Sequence, residues 1–370
     1  MKINYVLFGK PVLTGGTKTI LEMAQRLSIK GNEVTVMVFG SNSIPKWIKK
    51  TDLYPTKFKF IYVPLIGSLI YRFFRKAFQK ITGYKIFPFV ELQALLKHMP
   101  ECDVNIGTQA ITNYAVYASK KGIPVSHFMH YEPLVTEDRF DSMLNETAYL
   151  LPTKKIINSI WLRDQIKDNL GISISDSQIV YAGFYHDIFY PRKINRKNSK
   201  KRIISLAKPF SSIKGFKYLI DGIEEVLNKR DDVELVLFGT DKIPPQVIPF
   251  EFHYSPVDDQ LAELYSSCDV FINASLYESF PWPPLEAMAC GVPVITTRHG
   301  VEDYAIDNEN ALIIDPADSH AIANSVLKIL ENEDIKNKLI KNGLQTVKKF
   351  TWENSINSLN RILNKFLSEK

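Results

Sequence analysis

Residues 269–296 read D-V-F-I-N-A-S-L-Y-E-S-F-P-W-P-P-L-E-A-M-A-C-G-V-P-V-I-T. The apolar, β-branched run at 269–273 has the length and composition of a strand. Pro284 suits the first turn of a helix, where its missing N–H costs nothing. Leu285, Met288 and Ala289 then give a helix over 284–290 a buried side, and 292–296 reads as the next strand. Strand, loop, helix, strand is the repeating element of a parallel sheet. Two glutamates sit in this unit with seven residues between them. Glu278 falls on the loop, and Glu286 in the first helical turn, near the positive end of the dipole. Pro281, Pro283 and Pro284 donate no hydrogen bond, so the donors left are the amides of Ser279, Phe280, Trp282, Leu285 and Glu286. On these residues alone a proline-stiffened turn with a capping acid is an equally good reading.

Outward from this stretch the same alternation runs through the chain. Strands are predicted at 3–8, 33–38, 59–63, 103–107, 124–128 and 153–157, with helices at 17–30, 68–81, 89–98, 109–121 and 159–169. After a strand at 178–181 comes a polar, basic stretch with Pro191, 183–202, which reads as a linker. Alternation restarts with strands at 203–207, 233–238, 269–273, 292–296 and 311–314, and helices at 214–229, 258–267, 284–290 and 317–332. Helices at 334–349 and 351–367 close the chain. The expected architecture is α/β: two Rossmann-like, doubly wound domains, 1–182 and 203–350, facing across a cleft. A ligand is expected at the carboxyl ends of the strands.

The 370 residues favour two domains and allow a large core. Composition is that of a soluble globular protein, 45% hydrophobic and 23% charged, with a net charge of +6. The three cysteines, Cys102, Cys268 and Cys290, are far apart and form no C-x-x-C, which argues against a metal site or disulfide framework and fits a reducing compartment. The opening M-K-I-N-Y-V-L-F-G is too short for a signal peptide and reads as strand one. No run of 18 apolar residues is present, so no membrane span is expected. A cytoplasmic protein follows, and nucleic acid is not an expected partner.

Four further segments could carry chemistry. Gly9 to Gly16, G-K-P-V-L-T-G-G, lies between strand one and helix one, where α/β proteins bring backbone amides to phosphate. Its glycines lack the G-x-G-x-x-G spacing, so no dinucleotide fingerprint is present. In S-L-A-K-P-F-S-S-I-K-G-F, 205–216, Lys208 and Lys214 flank a short loop before a helix, a local anion site. F-M-H-Y-E-P, 128–133, places His130 and Glu132 at a carboxyl strand edge. Finally, 66–81 is a basic amphipathic helix. Ile66, Leu69, Ile70, Phe73, Phe74, Ala77, Phe78 and Ile81 recur at helical spacing, with Arg72, Arg75, Lys76 and Lys80 on the opposite side. From 46 to 85 there are ten Lys or Arg and one acid, Asp52. Such a helix lies on an anionic membrane or packs on its own sheet with a solvated basic face.

Together these segments resemble the large retaining glycosyltransferase family typified by glycogen synthase and the phosphatidylinositol mannosyltransferases, family 4 and its relatives. The resemblance is strongest over 258–332: D-Q-L-A-E-L-Y-S-S-C-D-V-F-I-N-A-S-L-Y-E-S-F, then P-P-L-E-A-M-A-C-G-V-P-V-I-T-T, then G-V-E-D-Y and N-A-L-I-I-D-P. It contains the E-x7-E pattern and extends more weakly through K-G-F-K-Y-L-I-D-G-I to T-G-G-T-K-T-I-L-E-M-A-Q-R-L. The resemblance implies a GT-B fold with acceptor binding in the first domain and nucleotide-sugar binding in the second. It also implies that the last helix, 351–370, crosses back to the first domain. By the same analogy Glu278 hydrogen-bonds hydroxyls of the donor sugar and Glu286 binds the ribose. Lys214, helped by Lys208, neutralises the diphosphate. The backbone around Phe280–Trp282, with Ser279, Pro281 and Leu285, holds the sugar and distal phosphate. Gly16 admits the phosphates, and His130 lies near the transferred sugar. Two departures stand out. Lysine replaces the family's arginine at Lys208 and loses bidentate phosphate contact. Ser279 and Pro281 replace the usual glycines after the first glutamate.

The expected reaction is a metal-independent, cofactor-free sugar transfer from a nucleotide-diphosphate sugar to a glycan or lipid-linked acceptor. UDP-sugar is the default donor, with GDP and dTDP open. No D-x-D metal clamp occurs. A sugar-nucleotide epimerase or a non-catalytic glycan- or lipid-binding protein are the competing readings. Arg72, Arg75, Lys76 and Lys80 are the candidate membrane-surface residues, placing the enzyme at the inner membrane face.

Overall fold

The strand–helix alternation is realised twice. The computed structural model describes the chain except residues 13, 42, 52, 65, 137, 197, 198 and 370, and leaves undescribed the side chains of 50, 66–69 and 72. The chain divides into two units. The first comprises Met1–Asn158, Leu162–Ala182 and Glu353–Lys370; the second Ser159–Trp161 and Gly183–Trp352.

The sheet of the first unit contains β1 (Lys2–Phe8), β2 (Glu33–Phe39), β3 (Lys59–Val63), β4 (Val104–Gly107), β5 (Ile123–Phe128) and β6 (Lys154–Ile157). Their order is β3-β2-β1-β4-β5-β6, all parallel. The central strands β1, β2, β4 and β5 are buried on both faces, which is why they read as continuous apolar runs instead of alternating. Helices α1 (Gly15–Ile29), α2 (Ile66–Thr82), α3 (Phe89–His98), α4 (Ala110–Ser119), α5 (Arg139–Leu150) and α6 (Ile160–Leu170) connect them. Helix α5 was not expected. Its sequence, R-F-D-S-M-L-N-E-T-A-Y-L, buries only Ala148 and Tyr149, so its apolar periodicity is faint. Its start is fixed by Asp138, whose side chain accepts from the Asp141 amide at 3.0 Å. The strand expected at 178–181 is reduced to a single bridge, Ile157 to Ile179. A one-turn 3-10 helix at Asp176–Gln178, closed by a Ser175–Gln178 capping box, consumes its start.

The second unit repeats the plan. Strands β7 (Lys201–Leu206), β8 (Val233–Gly239), β9 (Phe250–Tyr254), β10 (Val270–Asn273), β11 (Val294–Thr297) and β12 (Leu312–Ile314) are parallel in the order β12-β11-β10-β7-β8-β9. Strand β9 was missed in the sequence. It is an edge strand, F-E-F-H-Y, with no fully buried residue and hence no apolar run. Helices α7 (Phe216–Leu227), α8 (Asp259–Ser266), α9 (Trp282–Ala289), α10 (Ser319–Glu331) and α11 (Glu333–Val347) cover the sheet. Residues from Gly183 on are bonded to this unit: the Phe184 amide donates to the Phe350 carbonyl at 3.1 Å, and Arg196 pairs with Asp269. Helix α12 (Trp352–Ser368) buries Ile356, Leu359, Ile362, Leu363 and Phe366 at helical spacing. From Glu353 it belongs to the first unit, where Asn357 accepts from Lys30 at 2.6 Å and Glu369 from Lys154 at 2.6 Å.

In each sheet the strand order reverses direction between the first and fourth strands of the unit, β1/β4 and β7/β10. At such a switch point the connections leave on opposite faces, and the carboxyl ends of the two strands frame a crevice.

Candidate active site

At the switch point of the second sheet, the chain leaving β7 carries Lys208 and Lys214, and the chain leaving β10 carries Ser275 and Glu278. The two loops are stitched together, the Leu276 amide donating to the Ile213 carbonyl at 2.7 Å. Gly215 makes this approach feasible. Its φ is +61°, and a Cβ there would run into the Ala274 carbonyl oxygen, so a side chain is excluded on both counts.

The approach brings Lys214 onto Glu278: Lys214 Nζ donates to Glu278 Oε1. Ser275 Oγ donates to the same oxygen at 2.8 Å. Both side chains are largely shielded, 25% exposed for Lys214 and 16% for Glu278. The two residues given separate tasks in the sequence therefore form one unit, a cation and a carboxylate with a hydroxyl fixing the acid. On the far side, the turn after β11 closes on Glu278 through Gly300, whose φ is +79° and where a Cβ would lie 2.5 Å from the Glu278 carbonyl oxygen.

Lys208 takes a different place. Its Nζ donates to Thr240 Oγ1 at 2.5 Å and pairs with Asp241 at 3.3 Å, on the loop after β8. Lys208 is thus engaged with an acid on that loop.

Helix α9 begins at Trp282, two residues earlier than expected, because Pro283 and Pro284 occupy first-turn positions whose N–H groups have no intrahelical partner. Glu286 consequently lies beyond the first turn, not within it as the sequence reading had it. Its Oε2 accepts from Tyr265 Oη at 3.0 Å. Tyr265 is fully buried, and burial together with the adjoining carboxylate holds its hydroxyl protonated well above the usual tyrosine range. Glu286 is thereby oriented by a phenol from α8.

The aromatic and apolar residues of the stretch face inward. Phe280 packs edge-on to Tyr304 and against Phe350, with ring centroids 5.5 and 5.6 Å away. Trp282 sits among Phe184, Tyr185 and Trp352 at 6.1–6.3 Å. Leu285 is in the core, Ser279 is buried with its hydroxyl 3.1 Å from that of Ser159, and the Pro281 carbonyl accepts from Tyr304 Oη at 3.1 Å. The aromatics that drew attention in the sequence anchor the loop, leaving its backbone and the acids as the candidate functional elements.

The segment after β11 holds ionisable groups that motif reading passed over. His299 stacks on Tyr277, centroids 5.9 Å apart, and burial with the Arg298 charge lowers its pKa. Burial raises the pKa of the Glu302 carboxyl. The signal was available in the block G-V-E-D-Y beside a histidine.

In the first unit, Gly16 is the second residue of α1, whose N-cap Thr14 accepts from the Thr17 amide at 3.3 Å. A Cβ on Gly16 would meet no protein atom within 4 Å. Neither packing nor backbone conformation therefore demands a glycine here. His130 follows β5, and its carbonyl accepts from Tyr149 Oη at 2.6 Å. Glu132 opens the next 3-10 turn, and burial raises its pKa. His127, inside β5, is the fully buried histidine of this unit, its pKa lowered to about 4 by burial.

Helix α2 departs from the simple two-faced reading. Ile70, Phe73, Phe74 and Ile81 are exposed, from 54% to 84%. Lys76 and Lys80 are exposed beside them, while Arg72 lies outside the described side chains. Arg75, expected on the solvated basic face, instead turns to α3 and pairs with Glu91 at 3.3 Å. On the same inward side, Tyr71 Oη donates to the Phe87 carbonyl at 3.0 Å. Among the described side chains, Ile70, Phe73, Phe74 and Ile81 are thus exposed, while Ala77 and Phe78 are half-buried and Tyr71 and Arg75 turn to the packed side. Among the described residues no helix is long and apolar enough to cross a membrane.

Residues 189–346 match the family of glycosyl transferases group 1. The match contains Lys208, Lys214, Glu278 and Glu286. Over 301 residues the chain is 25% identical to the MMP alpha-(1->4)-mannosyltransferase of Mycolicibacterium hassiacum, covering 73% of this chain and 72% of that protein. It is 30% identical to sucrose-phosphate synthase 4 of Arabidopsis thaliana over 174 residues, 43% of this chain. The matched segment spans only 16% of that synthase. Among solved structures, Anabaena HepE in complex with UDP-glucose superposes with a TM-score of 0.73 at 14% identity, with both chains fully covered. Both units are thus those of the GT-B glycosyltransferase fold.

Proposed function

We propose that the protein is a retaining, metal-independent glycosyltransferase that moves a sugar from a nucleotide-diphosphate sugar to a glycan or lipid-linked acceptor in cell-surface glycan assembly. The observation that carries this reading is the Lys214–Glu278 pair at the switch point of the second sheet, inside the group 1 segment. A departing diphosphate needs cationic stabilisation, and Lys214 with the adjoining helix start supplies it. A carboxylate beside it suits the hydroxyls of the sugar being transferred. Glu286, held by Tyr265, is the ribose ligand of this reading, Lys208 the second phosphate contact and His130 the group nearest the sugar. Retention follows from same-face attack, the leaving phosphate oxygen taking the acceptor's proton. The complex of HepE with UDP-glucose favours a UDP-sugar, with GDP- and dTDP-sugars as the other candidates.

A thermal-shift screen against nucleoside diphosphates and nucleotide sugars tests the reading, since a ligand of the folded state raises Tm. One nucleotide class is expected to stand out, and product analysis is expected to show transfer with the donor's anomeric configuration kept. Epimerised donor without acceptor, or no shift with any nucleotide, would count against it.

Gly16→Ala separates function from packing. The substitution adds a Cβ into open space within a helix, so it is expected to raise stability by up to about 1 kcal/mol. If phosphates approach the Gly16 backbone, donor affinity falls by tenfold or more at the same time. Equal donor binding in a stabilised variant would remove Gly16 from the site.

The exposed face of α2 supports seating on the inner, anionic membrane face, its aromatics in the interface and Lys76 and Lys80 at the phosphates. Phe73→Ser with Phe74→Ser, and separately Lys76→Gln with Lys80→Gln, are expected to lower co-sedimentation with phosphatidylglycerol vesicles several-fold. Unchanged co-sedimentation in both would sink the membrane reading.

A further inference from the structure

The loop between β10 and α9 is tied down at its start. The Leu276 amide donates to the Ile213 carbonyl at 2.7 Å, and Thr297 Oγ1 to the Ser275 carbonyl at 2.5 Å. The other end has less of its own to hold it. Pro281 is the N-cap of α9 and brings no side-chain cap, and Pro283 and Pro284 donate no hydrogen bond. The hold there comes from the segment between β11 and β12. Gly300 lies against the Glu278 backbone, and four residues on, Tyr304 Oη donates to the Pro281 carbonyl at 3.1 Å. One segment thus grips the loop at both Glu278 and Pro281.

Tyr304 is itself held in place. It is buried, with Phe280 and Phe350 edge-on to its ring at 5.5 and 6.2 Å. Buried Asn310 donates to the Tyr304 carbonyl and to Thr346 Oγ1, both at 2.7 Å, and accepts from the Ile306 amide at 2.7 Å. Burial, with the Glu278 charge nearby, keeps the Tyr304 hydroxyl protonated well above the usual tyrosine range, so it is a standing donor. A ring already fixed by packing gives up little side-chain freedom to make this bond. Pro281 fixes its own φ and Tyr304 fixes the carbonyl that follows, which leaves the end of the loop one conformation.

We infer that Tyr304 is a positioning residue for the donor sugar, acting through the Pro281 carbonyl on the path of Ser279–Trp282. The inference rests on the sugar-transfer reading above, in which Glu278 and this backbone meet the sugar. Tyr304 touches the loop from behind, so it sets where Glu278 and the loop amides stand without reaching the ligand itself. A group held in advance costs no ordering when the ligand arrives.

The test is Tyr304→Phe, which removes one oxygen and keeps the ring contacts. Calorimetry with the whole chain would compare UDP-glucose, UDP-N-acetylglucosamine, UDP-galactose, GDP-mannose and dTDP-glucose with UMP, GMP and dTMP, which carry neither sugar nor second phosphate. The sugar nucleotide that binds the unaltered protein best is expected to lose about tenfold in affinity. Its monophosphate is expected to change less than about twofold, since it does not reach the loop. Tm is expected to fall by about 2–4 °C, because a buried carbonyl loses its donor. Thr346→Val is the control: it removes a buried hydrogen bond on the far side of Asn310. It is expected to lower Tm alike and leave both affinities as they are. An unmoved ratio of the two affinities in Tyr304→Phe, or the same shift in Thr346→Val, would overturn the inference while leaving the proposed function standing. No binding of any sugar nucleotide by the unaltered protein would sink both.

Discussion

Glu278→Gln is expected to slow sugar transfer about a hundredfold or more while tightening the binding of free nucleoside diphosphate. The two effects come from one feature, the Lys214 ammonium held on Glu278 Oε1. A diphosphate entering the site must compete with that carboxylate for the lysine, and it also feels the carboxylate's own charge. Glutamine keeps the size and leaves Ser275 Oγ an oxygen to donate to, but removes the negative charge. At a separation of about 6 Å and an effective dielectric of about 20, one charge on one charge is worth about 2–3 kcal/mol. Partial exposure and salt reduce that to roughly a tenfold gain in diphosphate affinity. The same change removes the strongest acceptor for sugar hydroxyls, and losing one preorganised group at a transition state costs about 10²–10³ in rate. Calorimetry with the diphosphate beside single-turnover transfer measures both. Weaker diphosphate binding, or full transfer activity, would show that Glu278 does not stand between the lysine and the sugar.

The fold was legible because its central strands are buried on both faces. β1, β2, β8 and β10 are apolar runs that periodicity finds without help. β9, at a sheet edge, and α5, which buries two residues, lack that signal, whereas the half-exposed edge strand β3 is found through its aromatic, β-branched run K-F-I-Y-V. The candidate site was legible as a set of residue types, since two lysines before a helix and two glutamates around another are visible in one dimension. Their pairing was not. Lys214 and Glu278 are 64 residues apart and meet through the β7/β10 adjacency and the room made by Gly215. Lys208, six residues before Lys214, goes instead to the β8 loop because that strand flanks β7 on the other side. The orientation of α2 was hidden for a different reason. Amphipathicity specifies two faces without saying which is packed, and the buried acid that draws Arg75 inward lies sixteen residues on.

Lys214→Met is expected to move diphosphate affinity the opposite way. Methionine retains most of the aliphatic stem and removes only the ammonium. Transfer should fall about 10²–10³-fold, as for loss of one charge-stabilising group at a leaving group. Diphosphate affinity should fall with it, because the lysine serves the anion in the ground state as well. Stability also changes. Glu278 loses its cation while largely shielded, keeping the Ser275 hydroxyl as donor. A cost of about 1 kcal/mol follows for a pair with this exposure, below that of fully buried pairs, or roughly 2–4 °C in Tm for a unit of this size. In the Lys214→Met, Glu278→Gln double variant the lone buried charge is gone, so stability should recover most of that loss, while transfer stays at the level of the poorer single variant. A non-additive cycle of this kind is the signature of two groups acting as one device. If the two rate losses simply multiplied, Lys214 and Glu278 would be neighbours with independent tasks.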